Sequence, residues 1–167
     1  MSKEAYPLGA SALDELFRAS LKYRDRAYAP YSKFRVGAAL LGADGQIFGG
    51  CNVENASYGA GICAERTAIV KAISEGQNKF LAVAVSSDVP SPTTSPCGIC
   101  RQFLREFLSP KIPIYFISAE YQSIKSTPTW LETLDDEEAK KYIVKMTMEE
   151  LLPNSFGPDN LGIKGPQ

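Results

Sequence analysis

The hydrophobic positions change period along the chain, and each change marks an element. Leu13, Leu16, Phe17, Leu21 and Tyr28 recur at helical spacing, which predicts an amphipathic helix over about 11–28, ended by Pro30. FRVGAALLG and QIFGGCNVE then flank the turn signal Asp44-Gly45, the pattern of a β-hairpin. Helical spacing returns over 63–75, with Ala68, Ile69, Ala72 and Ile73 on one face and Gly76 at the C-terminal end. FLAVAVSS is a short apolar run bounded by SDVPSPTTSP, a buried strand followed by a loop. CGICRQFLREFL predicts a third helix from Cys97, with Cys100, Phe103, Leu104 and Phe107 on one face. IPIYFIS is another buried strand, and Tyr142 to Met146 a last one. The capping-box pattern from Thr147 to Glu150 opens a short helix through Leu151 and Leu152.

Helices alternating with strands in this order predict a mixed sheet with helices on its faces, an α/β sandwich. The expected organisation is a single domain over 1–167, with its core at about 11–161 and a loose tail at 162–167. The segment AEYQSIKSTPTWLETLDDEEAKKY, about 119–142, reads as a polar insertion carrying the only tryptophan, its DDEE run a solvated surface with no chemical role.

Composition narrows the function classes. A chain of 167 residues can bury roughly 70% of the surface its unfolded form exposes. Net charge is −1 and pI about 5.6, so nothing attracts a polyanion at long range and nucleic-acid polymers are poor partners. MSKEAYPLGA has no apolar signal region, and runs such as VGAALLGA are too short to span a bilayer. The expectation is a cytoplasmic chain without a membrane partner. In that reducing setting clustered cysteines point to metal or catalysis before disulfides.

Two fragments carry the chemistry. GICAER at 61–66 and PCGICR at 96–101 hold three of the four cysteines, in a chain with no histidine. Both clusters open a predicted helix, where the positive helix end favours thiolate over thiol. Cys63, Cys97 and Cys100 make an odd ligand set. Three protein ligands on tetrahedral zinc leave the fourth position for water, the catalytic arrangement rather than the closed structural one. Glu65, two residues past Cys63, lies in the same first helical turn and reaches that water without binding metal. Three thiolates against Zn²⁺ leave the site at −1, so Arg66 and Arg101 are the candidate groups beside the ligands that offset the charge. Asn52 and Glu54, alternate residues of a strand, share a face, with Cys51 and Val53 on the other.

At these residues the chain resembles the cytidine deaminase family, the small homotetrameric type with three cysteine ligands, whose signature belongs to the known pattern of zinc deaminases. The matching fragments run in order from AYAPYSKFRVGAAL through NVENASYGAGICAERTAI and SPCGICRQFLREF to TMEELLPNSFGPDNL. The resemblance implies a three-layer α/β/α sandwich with a mixed five-stranded sheet. It implies hydrolytic deamination of cytidine and 2′-deoxycytidine in pyrimidine salvage, with one Zn²⁺ per subunit on Cys63, Cys97 and Cys100 and Glu65 as proton shuttle. Asn52 and Glu54 would hold the ribose hydroxyls. Phe34 and Phe156 would pack on the pyrimidine, Phe156 from a neighbouring subunit, with Tyr58 at a shared site. Backbone groups of Ala64 and of Ser95-Pro96-Cys97 would read the base edge. The long 119–142 segment and the fourth cysteine, Cys51, depart from the family pattern; Cys51 is expected to be a buried free thiol.

Rival readings remain at this point. Cys51 could complete a four-cysteine structural zinc module, which would leave Glu65 unexplained. A thiol-disulfide protein would leave Cys63 idle, and a polynucleotide editor would need a basic channel that the sequence lacks. An aminonucleoside-antibiotic deaminase with the same zinc chemistry is the nearest alternative.

Overall fold

The computed structural model describes residues 8–90, 94–134 and 137–165. Helix α1 spans Ala10–Arg24 and buries Leu13, Leu16, Phe17 and Leu21. It stops well before Pro30. Tyr28, expected on its apolar face, is instead extended and exposed, with its N–H donated to the carbonyl of Asn52 at 3.0 Å. That tertiary hydrogen bond, with a bridge to Val53, replaces another helical turn.

Five strands form one mixed sheet: β1 Val36–Gly42, β2 Ile47–Cys51, β3 Phe80–Ser87, β4 Pro113–Ile117 and β5 Ile143–Thr147, in the order β2-β1-β3-β4-β5. Only β3 and β4 are parallel, the pair joined through helix α3, Gly98–Phe107, as a parallel pairing needs a crossover connection. The hairpin strand β2 ends at Cys51 rather than at Glu54, because Val53 leaves the ladder to bridge Tyr28 and Ile62.

Side-chain alternation divides the sheet into two faces. Ala38, Leu40, Val83, Val85, Ile114 and Phe116 face helix α2 (Ala64–Ser74), helix α3 and the short α5 (Met148–Leu151). Ala39, Leu41, Ala82, Ala84, Tyr115 and Ile117 face α1. The result is the α/β/α sandwich. Two glycines set how closely the layers approach. A Cβ at Gly37 would overlap backbone of Ser20 and Arg24 in α1, and one at Gly50 would overlap backbone of Ala64 and Ala68 in α2. The first turn of α2 therefore lies directly on the sheet. The expected capping box is present: the Thr147 hydroxyl accepts from the Glu150 N–H and the Glu150 carboxylate accepts from the Thr147 N–H.

The 119–142 segment, read from its composition as a polar insertion, also carries apolar anchors. Tyr121, Leu131 and Ala139 are buried, and Trp130 stacks on Tyr142 at 6.1 Å. Spaced apolar anchors among polar residues let it cover α1, on the face of the sheet opposite the cysteines. Of the acidic run, Glu137 is exposed and opens helix α4, Glu137–Tyr142, while Asp135 and Asp136 lie outside the described residues. The tail expected to be loose still bonds back at Ile163, whose N–H donates to Pro158 O; 166–167 lie outside the described residues.

Asp14 on α1 is the polar anchor of that segment. It is buried, accepts from the Tyr121 hydroxyl at 2.7 Å and the Thr127 hydroxyl at 2.8 Å, and pairs with Arg18 at 2.9 Å. Burial alone would raise its pKa, but the hydrogen bonds from Tyr121, Arg18 and Thr127 outweigh it and hold the carboxyl below its ordinary value. A depressed folded pKa means the contribution is present at neutral pH and fades as pH falls through that value. Tyr121→Phe removes one partner from a buried carboxylate, and a loss of about 1–3 kcal/mol is expected in urea unfolding at pH 7. That loss should shrink on acidification; no loss would mean the Tyr121–Asp14 hydrogen bond does not stabilise the fold.

Candidate active site

Two helix starts build the site. Cys63 is the N-cap of α2 and Cys97 the N-cap of α3, both in extended backbone, and Cys100 sits in the first turn of α3. Residues just outside and just inside a helix start aim toward the free N–H groups, so the side-by-side helices bring the sulfurs together. All three lie within 4.8 Å of one another. Zinc–thiolate bonds of ~2.3 Å in tetrahedral geometry separate sulfurs by roughly 3.8 Å, so small side-chain rotations seat an ion. Soft thiolates at two positive helix ends suit zinc.

Charge within the cluster is uneven. The Cys63 thiol is lowered to about 5, first by a hydrogen bond from Cys100 and then by the Arg66 guanidinium. Cys100 is pushed up, because its proton is the one Cys63 accepts and because it is buried. Arg66 reaches the Cys63 sulfur at 3.8 Å, as expected of a group offsetting thiolate charge. Arg101 behaves differently. Its nitrogens donate to Pro96 O at 2.8 Å, Leu151 O at 3.0 Å and Ser95 Oγ at 2.8 Å, so it holds the loop that leads into Cys97 rather than touching a sulfur.

Glu65, 4% exposed, follows Ala64 in the first turn of α2. Burial raises its pKa, and the Cys63 charge adds to the rise. A carboxyl with raised proton affinity beside a thiolate cluster exchanges protons at milder pH than a solvated one. Cys51 stands apart. It is half-buried rather than buried, its thiol donates to Arg26 O at 3.4 Å, and it is not part of the sulfur cluster. That arrangement removes the four-cysteine structural reading.

A cavity of about 600 Å³ reaches the cluster at Cys63 and is lined also by Arg66, Asn52, Glu54, Tyr58 and Ile99 among others. Asn52 and Glu54 both turn toward 31–36: Asn52 accepts from the Val36 N–H and donates to Phe34 O, both at 2.8 Å. Glu54 accepts from the N–H groups of Tyr31 at 2.8 Å and Ser32 at 3.2 Å.

A sequence model of the cytidine and deoxycytidylate deaminase zinc-binding region matches residues 10–116. The chain belongs to this family. It is 40% identical over 155 residues to the cytidine deaminase of Sporosarcina psychrophila, covering 93% of this chain and 98% of that one. The Halalkalibacterium halodurans cytidine deaminase is 39% identical over 146 residues, 87% and 95% of the two chains. The cytidine deaminase structure from Burkholderia pseudomallei superposes with a TM-score of 0.67 at 37% identity, covering 85% and 97%.

As a member of this zinc-binding deaminase family, the chain carries three sulfurs positioned for the ion, and the other expected residues distribute around them. Tyr58 lines the cavity and is 78% exposed; Ala64, just before Glu65 in the chain, is fully buried. Phe34 is partly exposed beside Asn52, which bonds its carbonyl, and does not line the cavity. Phe156 is not brought to the cavity of its own chain; it stands 59% exposed on the tail, whose carbonyl accepts from Gln102 at 3.0 Å. Sequence reasoning missed Tyr31, Ser32, Ile62 and Ile99, which line the cavity. Nothing local marks them, since Ser32 meets Glu54 only across 22 positions of chain.

Proposed function

We propose that the chain hydrolyses cytidine and 2′-deoxycytidine to uridine and 2′-deoxyuridine with release of ammonia. The observation that carries this reading is a buried carboxyl, Glu65, next to a three-cysteine cluster one of whose members, Cys63, lines a cavity together with Asn52 and Glu54.

Zinc held by Cys63, Cys97 and Cys100 supplies the Lewis acidity that makes a water nucleophilic near neutral pH. Glu65 accepts the proton of the attacking water and passes it to the ring nitrogen beside the amino-bearing carbon. The water oxygen bonds to that carbon. The carboxylate, free again, takes the proton of the new hydroxyl and delivers it to the amino group, the carbon–nitrogen bond breaks, and ammonia leaves as the carbonyl forms. Arg66 stabilises the Cys63 thiolate through this cycle, and Arg101 keeps the Ser95-Pro96 loop at the base edge. Asn52 and Glu54 take the sugar hydroxyls. Tyr58, which lines the cavity, contacts the base.

The assembly belongs to the same proposal. Exposed Phe156, Leu161, Ile163 and Ile99 form apolar surface of the kind that subunit contacts cover. On this proposal the chain is a homotetramer with one zinc per subunit, and exposed Phe156 enters a neighbour's cavity. The physiological setting would be cytoplasmic pyrimidine salvage by one catalytic domain.

The test is ammonia release from cytidine by zinc-loaded protein, with CMP and single-stranded DNA as competing substrates and light scattering for subunit number. Turnover of the free nucleosides alone is the expected result. A folded, zinc-bearing protein inert toward cytidine would sink the reading.

A further inference from the structure

Glu54 is half-buried, and its carboxylate is nearly saturated by one short stretch of chain. A carboxylate has about four acceptor positions, two on each oxygen. Oε2 takes the Tyr31 N–H at 2.8 Å and the Ser32 N–H at 3.2 Å, which fills it. Oε1 takes the Ser32 hydroxyl, which leaves one position. The same hydroxyl accepts from the Phe34 N–H at 3.0 Å, so a single oxygen joins the carboxylate at the rim to the backbone of Phe34. Between them Lys33 holds a φ of 59°, a left-handed conformation that an L-residue with a long side chain keeps only when its surroundings impose it. The turn is thus shaped around Glu54.

We propose that Ser32 is a positioning residue for substrate recognition. Its hydroxyl orients the Glu54 carboxylate so that the one remaining acceptor position points at a sugar hydroxyl. The proposal rests on the assignment of Glu54 to the sugar. If Ser32 merely stabilised the turn, its loss would be felt equally with any nucleoside.

The test compares wild type, Ser32→Ala, Ser32→Thr, Glu54→Gln and the Ser32→Ala/Glu54→Gln double variant on cytidine and on 2′,3′-dideoxycytidine, which lacks the hydroxyls in question. Ser32→Ala is expected to lower kcat/KM for cytidine about tenfold, chiefly through KM, and to change that for dideoxycytidine by less than about twofold, as loss of one charge-assisted contact predicts. Ser32→Thr should restore most of the loss, and Ser32→Ala should add nothing to Glu54→Gln, since residues acting as a unit are non-additive. Equal losses on both nucleosides, or additive losses in the double variant, would overturn the proposal.

A second measurement is independent of turnover. The Ser32 hydroxyl lowers the pKa of Glu54 most; burial opposes it, and the Tyr31 and Ser32 N–H groups lower it further. Carboxyl NMR should show it rise in Ser32→Ala and return in Ser32→Thr. Absence of cytidine turnover in the wild type would retire the activity; an unmoved Glu54 titration would retire Ser32.

Discussion

Replacing Glu65 by glutamine is expected to lower kcat for cytidine by about 10⁴-fold, the upper range for positioned proton transfer, while zinc stays bound. The reason lies in what the side chain touches. Glu65 is buried in the first turn of α2, so burial and the Cys63 charge both raise its affinity for a proton. A carboxyl so placed can take a proton from water and return it to the substrate within one turnover, and glutamine matches its shape but cannot carry a proton. The sulfurs of Cys63, Cys97 and Cys100 form the cluster without it, so metal content should not fall. The sign for stability is equally definite. A folded pKa raised above the unfolded one contributes stability below the unfolded value and loses it as pH rises. Glutamine has no such loss, so at pH 8 the variant should melt no lower than wild type. Steady-state kinetics with metal analysis check this. Turnover within about tenfold of wild type would assign proton transfer to another group.

Cys100→Ala should abolish both zinc binding and deamination. Cys100 is the one fully buried sulfur of the three, while Cys97 is exposed and Cys63 intermediate. Two remaining thiolates cannot enclose the ion, and a rearranged ligand has no route to a buried position. Binding to the folded state alone stabilises it, by about 4 kcal/mol when free metal is 1,000 times Kd. For a domain of this length that is roughly 8–16 °C in Tm. Chelation should therefore lower the wild-type Tm by that amount and leave Cys100→Ala unmoved. A variant that keeps stoichiometric zinc would show that the cluster is not the metal site.

How much of this was legible in the chain depends on the distance over which each feature is specified. The starts of α2 and α3 were legible because capping and helical period are local, and Cys63 and Cys97 are indeed the N-caps. The capping box at Thr147–Glu150 was legible for the same reason. Tyr28 misled because its periodicity continues that of α1 while its N–H has a better partner in Asn52. Arg101 misled because adjacency to Cys100 says nothing about direction: on the helix its guanidinium turns to the Ser95-Pro96 loop and the last turn of α5.

The sequence by itself determined the period of each element, the count and spacing of the sulfurs, and the placement of a carboxylate within one helical turn of a ligand. These are set by contacts between residues a few positions apart, which backbone geometry makes nearly independent of the rest of the fold. Tertiary structure alone decided which polar groups meet. Thr127 anchors to Asp14 across 113 positions, and Ser32 reaches Glu54 across 22. Such pairs depend on how two helical layers settle on a sheet, at approaches set by Gly37 and Gly50, and no local pattern encodes that distance.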